Sequence, residues 1–177
     1  MRVVFRADAS HQIGKGHLTR CLTLAEALRD QGSECSFVCR EDGGGGLYNV
    51  VEKSDFPVRR YHALPVASDT GAESGHEAPA NAGWEEDAAQ TRAAIDSLGG
   101  SAEWLVVDHY GLDARWESRL RTSAGRIMVI DDIANRPHDC DLLLDQNLVA
   151  DMRNRYAGKV PAACRSMLGL LYALLQP

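Results

Sequence analysis

The residues with the most chemical capacity stand together near the start of the chain. His17 follows the turn Gly14-Lys15-Gly16, with Arg6 and Asp8 upstream and Arg20 three residues on. An imidazole placed there could take a proton near neutral pH, the work of a general base. Gly14 and Gly16 let backbone N–H groups approach a ligand, and the start of the following helix adds its own. A helix N-terminus disfavours the imidazolium by about 0.3–1 kcal/mol and so helps keep the ring neutral. Asp8 opposes this if it pairs with the ring, fixing its tautomer and stabilising the proton it accepts. The sequence leaves open which influence prevails. Arg6 and Arg20 could each hold a phosphate or carboxylate; salt bridges to Asp8 or Asp132 are the plainer alternative. His17 has a plain alternative as a helix cap or surface residue, and the glycines as a tight turn. The third glycine of a dinucleotide fingerprint would fall at position 19, which is threonine, and G-x-G alone says little.

Further polar residues follow apolar runs later in the chain. Asp108-His109-Tyr110 follows Val107, Asp131-Asp132 follows Ile130, and Gln146-Asn147 follows Leu142-Leu143-Leu144-Asp145. Tyr110 could stack on a sugar ring or hydrogen-bond its polar groups; otherwise it is a half-buried aromatic in a turn. Asp131-Asp132 reads as structural rather than as a magnesium site, because no third carboxylate stands at a suitable spacing. His138-Asp139-Cys140-Asp141 has metal-capable side chains, but ligation is the weaker reading. His62 and His76 read as solvent-exposed. No G-x-S-x-G and no phosphate loop of the Walker type occurs, which removes serine-hydrolase and P-loop readings.

These residues need strands and helices to gather them. Val3 to Phe5 reads as an interior parallel strand. Leu18, Cys21, Leu22, Ala25 and Leu28 repeat at helical spacing, with Gly32 as the stop. Strands are predicted at Ser36–Cys39, Pro57–Tyr61, Glu103–Asp108, Arg126–Asp131 and Asp141–Asp145. Helices are predicted near Leu47–Lys53 (weak), Trp84–Leu98 and Ala114–Thr122. The alternation predicts an α/β fold, a parallel sheet with helices on both faces. Such sheets bind ligands at the carboxyl ends of their strands, where the polar residues collect. Residues 65–83, poor in large apolar side chains, read as a mobile loop. Ser166 to Leu175 is apolar and reads as the approach to a further domain.

The chain has 177 residues, 45% hydrophobic and 25% charged, with a formal net charge of −6. One domain is the default. The acidic balance argues against a nucleic-acid surface, so an anionic ligand would rely on helix N-termini and single arginines. No apolar run reaches the roughly 18 residues of a membrane span, and Met1-Arg2 leads directly into a strand, without a signal peptide. Cys21, Cys35, Cys39, Cys140 and Cys164 form no C-x-x-C pair; buried reduced thiols in an intracellular, cytoplasmic protein are expected.

The motifs resemble one family when read in order. Arg6-x-Asp8, Ile13-Gly14-x-Gly16-His17-x-x-Arg20, Val106-Val107-Asp108-His109-Tyr110-Gly111 and Ile130-Asp131-Asp132 with Asn135-Arg136 carry the likeness. So do His138 to Asn147, Arg155-Tyr156, and Leu168-Gly169 with Tyr172 to Leu175. The family is the UDP-2,4-diacetamido-2,4,6-trideoxy-β-L-altropyranose hydrolases of pseudaminic acid biosynthesis. The resemblance implies the Rossmann-like N-terminal half of a GT-B architecture over residues 1–165, with 166–177 opening the interdomain junction. Leu170-Leu171 and Gln176 stand there where more polar or basic residues are expected. It implies that His17 activates water to attack the anomeric carbon, so that UDP leaves with C–O cleavage and inversion. No metal and no cofactor is implied. By the same match Asp8 supports the catalytic site, Tyr110 approaches the sugar, and Arg6, Gly14, Gly16, Arg20, His109 and Asn147 join it in binding substrate. The expected ligand is a small UDP-amino-sugar, with no nucleic acid and no membrane as partner. The nucleotide-binding C-terminal half would be supplied in cis or in trans, and the chain alone is expected to hydrolyse weakly or not at all. Two rivals stand beside this reading: half of a GT-B glycosyltransferase, and a non-catalytic sugar- or partner-binding module.

Overall fold

The computed structural model describes residues 1–8, 16–41, 51, 53–62 and 83–175. The chain runs β1 (Arg2–Ala7), α1 (Gly16–Asp30), β2 (Glu34–Glu41), β3 (Val58–His62), α2 (Trp84–Ser97) and β4 (Ala102–Asp108). It continues through α3 (Ala114–Leu120), β5 (Ala124–Ile130), β6 (Leu142–Asp145), β7 (Arg165–Leu168) and a 3-10 turn at Leu170–Tyr172. The strands form one sheet in the order β3-β2-β1-β4-β5-β6-β7, parallel at every pairing. The expected α/β architecture is therefore present. The expected weak helix near 47–53 lies outside the described residues except for Val51, which is buried, and Lys53. The polar stretch at 65–83 also lies outside them, apart from Gly83 at the start of α2.

Side-chain parity divides the core in two. Successive residues of a strand face opposite sides of the sheet. Val3, Phe5 and Ala7 of β1, with Cys35, Phe37, Cys39 and Val106, pack beneath Leu18, Cys21, Leu22 and Ala25 of α1. Val4, Val38, Leu105 and Val107 face the other way, against α2 and α3, through Ala88, Ile95, Trp116 and Leu120. Helix α1 ends where expected, at Gly32 with φ of 80°, the left-handed turn that glycine adopts without strain. Asp113 caps α3 by accepting the Arg115 N–H at 3.0 Å. The cysteines are free thiols, and Cys35 and Cys39 face the α1 side as their shared parity predicts. Burial pushes the Cys39 thiol up to about 12. No described helix is long and apolar enough to cross a membrane.

The sheet extends one strand further than the sequence predicts. Residues 166–168, expected at the start of a junction, belong to β7 and pair with β6 from Leu142–Arg165 to Asp145–Leu168. This strand is short and half exposed, so it lacks the fully apolar run that marks β4 and β5. Beyond it Leu170, Leu171 and Leu175 are exposed.

Arg6 shares parity with Val4 and lies fully buried on the α2 side. It meets Asp8 at 2.5 Å and Asp87, from the first turn of α2, at 2.7 Å. Asp87 also accepts from Tyr61 Oη at 2.9 Å and Trp116 Nε1 at 2.8 Å. One carboxylate thus joins β1, β3, α2 and α3. Removing one partner of a buried ion pair typically costs about 3–5 kcal/mol. Asp87→Ala should lose that much in urea unfolding, and Asp87→Asn less. A loss within about 1 kcal/mol, the range of an exposed pair, would show that the cluster does not hold these elements together.

Candidate active site

A parallel sheet brings the carboxyl ends of its strands to one edge, and the strand order reverses between β1 and β4. The N-terminus of α1 stands over that point. A cavity of about 360 Å³ opens there, lined by Gly16, His17, Thr19, Arg20, Tyr110, Asp132, Gln146 and Leu174. Its size falls at the small end of ligand sites, which run about 300–1,000 Å³. Three strand ends, those of β4, β5 and β6, and one helix start therefore converge on it; the polar residue expected there from the end of β1, Asp8, does not line it.

The partner of His17 is Asp108. Nδ1 lies 2.5 Å from Asp108 Oδ1, and the ring stands edge-on to Tyr110 with centroids 4.5 Å apart. With Nδ1 occupied, Nε2 is the nitrogen that can serve the cavity. Burial pulls the imidazole pKa down, but the hydrogen bond and charge of Asp108 outweigh it and the net shift is upward. The carboxylate that faces the ring comes from β4, not from Asp8 after β1. Asp8 is turned to the opposite face. It takes Arg6, the Arg40 N–H at 2.8 Å and His109 Nε2 at 3.2 Å. Burial opposes its ionisation, yet the Arg6 guanidinium holds it well below the usual carboxylate range.

Both arginines take the plainer role. Arg20 grips Asp108 through Nε at 2.5 Å and Nη2 at 2.6 Å. It grips Asp132 through Nη1 at 2.9 Å and Nη2 at 3.1 Å. Every nitrogen of the guanidinium is engaged with a carboxylate, so Arg20 shapes the cavity wall without offering it a free positive charge. Arg6 is enclosed with Asp8 and Asp87. Tyr110 Oη donates to Asp132 Oδ2 at 3.3 Å, which sets the ring beside His17.

The remaining expected residues divide. Gly16 opens α1 and lines the cavity; Gly14 lies outside the described residues. His109 does not line the cavity. Its Nδ1 accepts the Gly111 N–H at 2.9 Å, so Nε2 carries the proton that it offers to Asp8. Asn147 is turned back on Asp145, donating to Oδ1 from its backbone N–H at 3.0 Å and from Nδ2 at 3.1 Å. Its neighbour Gln146 reaches the cavity instead. Asp131 and Asp132 face different ways: Asp131 receives Tyr156 Oη at 3.0 Å and the Ala134 N–H at 2.8 Å. His138 is buried against Glu117 at 2.7 Å. Among the described residues no group of His, Cys, Asp and Glu is arranged to hold a metal ion. Asp108, Thr19, Gln146 and Leu174 are the site members that the sequence reading gave no role.

The chain is 32% identical over 177 residues to the UDP-2,4-diacetamido-2,4,6-trideoxy-beta-L-altropyranose hydrolase of Campylobacter jejuni subsp. jejuni serotype O:2. The match takes in 99% of this chain and 52% of that protein. The chain is a relative of this hydrolase. It spans about half the hydrolase's length. No established family profile matches it. Among solved structures, MurG of Acinetobacter baumannii superposes with a TM-score of 0.58 at 11% identity, over 97% of this chain and 46% of that one. LpCGTa in complex with UDP gives a TM-score of 0.50 at 20% identity, over 75% of this chain and 32% of that one. Likeness at these identities fixes the fold alone: a Rossmann-like α/β domain of the kind found in GT-B glycosyltransferases.

The His17–Asp108 pair is open to measurement in the chain itself. An NMR titration of the His17 C2 proton should give a midpoint above the ordinary value of about 6.5. Asp108→Asn should bring it down. An unchanged midpoint in that variant would remove Asp108 as the cause.

Proposed function

We propose that this chain carries the general-base half of a nucleotide-sugar hydrolase that releases UDP from UDP-2,4-diacetamido-2,4,6-trideoxy-β-L-altropyranose. The observation that carries this is His17, held at Nδ1 by the buried Asp108 and lining a sugar-sized cavity at the strand ends. A water in the cavity gives its proton to Nε2 as its oxygen attacks the anomeric carbon. The bond from that carbon to the UDP oxygen breaks, and attack from the face opposite the leaving group inverts the configuration. Asp108 holds the tautomer and stabilises the imidazolium that forms. Tyr110 fixes the ring from its edge and borders the sugar. Asp8, with Arg6 and His109, supports the strand ends rather than the imidazole.

The charge balance of the cavity supports a division of labour. Arg20 is matched by two carboxylates, so the described wall favours a neutral sugar over a diphosphate. The nucleotide would be gripped by the remainder of a two-domain protein, in cis or in trans; the related hydrolase is about twice as long as this chain. The free amino sugar would then serve pseudaminic acid biosynthesis in the cytoplasm. One second reading is compatible with the fold it shares with MurG: transfer of the sugar to an acceptor hydroxyl at the same site.

Product analysis separates the two: free sugar with UDP means hydrolysis, a glycoside means transfer. General-base catalysis is worth about 10²–10⁴-fold. In a protein carrying both halves, His17→Ala should lower the rate of UDP release by about that factor while the protein still folds, as a cooperative melting curve checks. Activity within a few-fold of wild type would take the proton transfer away from His17.

A further inference from the structure

The end of β6 places a side chain in the cavity that the catalytic scheme does not use. Asp145 points to the α2 and α3 side, so Gln146, the next residue, turns toward α1. Its Oε1 accepts the Leu174 backbone N–H at 3.1 Å. A peptide N–H can only donate, which fixes the orientation of the carboxamide: oxygen toward Leu174, nitrogen away from it. Among the described residues nothing in the protein receives the two hydrogens on Nε2. Leu174 lines the same cavity and packs at the edge of the α1-side core. A pair of neutral donors and an apolar shelf therefore sit side by side, supplied by residues 28 positions apart.

Two other polar side chains of the wall, Arg20 and Tyr110, are differently engaged. Arg20 is saturated by Asp108 and Asp132, and Tyr110 spends its hydrogen on Asp132. A donor beside a hydrocarbon surface complements an acceptor oxygen that carries a methyl group next to it. That is the shape and polarity of an acetamido substituent. A hydroxyl in its place could accept from Nε2 but would leave the Leu174 shelf uncovered.

We propose that Gln146 and Leu174 form an acetamido-reading corner, which makes the cavity select N-acetylated amino sugars over their hydroxyl counterparts. The assignment rests on the reading of this cavity as a sugar site. It gives Gln146, rather than Asn147, the role of specificity determinant at the end of β6.

The test uses the 177-residue chain and ligand-observed NMR with two neutral probes, 2,4-diacetamido-2,4,6-trideoxy-L-altrose and 6-deoxy-L-altrose. Wild type should bind the diacetamido sugar more tightly by about three- to tenfold, the range of one neutral hydrogen bond. Gln146→Glu keeps an oxygen for the Leu174 N–H but replaces both donors, and Gln146→Met removes them without adding charge. Both should lose the preference, with melting curves confirming that each variant is folded. If wild type prefers the diacetamido sugar and both folded variants keep that preference, the corner is misassigned while the sugar site stands. If wild type binds both sugars equally, the corner falls in the same way. If wild type binds neither, the sugar-site reading falls and the corner with it.

Discussion

Asp108 holds a histidine and an arginine carried by one helix. It is buried at the carboxyl end of β4 and receives His17 and Arg20 from successive turns of α1. Burial works against its charge, yet the hydrogen bonds from Arg20 and His17 hold its pKa below the ordinary carboxylate value. The helix is thereby registered on the sheet by a charged contact as well as by its apolar stripe. Apolar packing is non-directional, whereas three short contacts to one carboxylate fix the rotation and height of α1. Because His17 is one of them, the geometry of the candidate base and the docking of the helix are one constraint. Arg20 passes that constraint on to Asp132 and so to Tyr110.

Most of the frame was legible in the sequence because parallel strands buried on both faces read as continuous apolar runs. β4 and β5 are the clearest cases, and α1 follows from the spacing of Leu18, Cys21, Leu22 and Ala25. β7 was not legible, since an edge strand of four residues with exposed Arg165 and Ser166 carries no such run. In the site, His17, Tyr110 and the strand-end location were legible from residue type and position. The partner of His17 was open to a further argument. Asp8 shares parity with Arg6 and Val4, which face α2, whereas Asp108 shares parity with Val106, which faces α1. Period-two counting alone favours Asp108. Gln146 over Asn147 follows from the same alternation. What no sequence pattern carries is the saturation of Arg20, which depends on Asp108 at the end of β4 and Asp132 beyond the end of β5 together.

The charge pattern bears on the division of labour proposed for the cavity. A free arginine in the cavity would draw the diphosphate toward the imidazole. Pairing that arginine with Asp108 and Asp132 removes the attraction and leaves a wall of hydroxyl, amide, carboxylate and aromatic edge, which suits a sugar. On the function proposed above, UDP is held from outside this domain and the sugar's anomeric carbon is presented to the cavity.

The same carboxylate sets stability and reactivity against each other. His17 has its pKa raised in the folded chain, so the protonated ring binds Asp108 more strongly than the unfolded chain can bind that proton. Its contribution to stability is complete below the unfolded value of about 6.5 and is lost as pH rises through the folded value. The form able to accept a proton appears over that same interval. His138, raised by Asp131 and Glu117 against the opposing effect of burial, has the same sign; Asp8, depressed by Arg6, has the opposite one and loses its contribution only in acid. The fold therefore gives up part of what α1 contributes in the pH range where the candidate base loses its proton. It can do so because Arg20 retains its charge throughout, keeping Asp108 paired and the helix in register while the imidazole changes state.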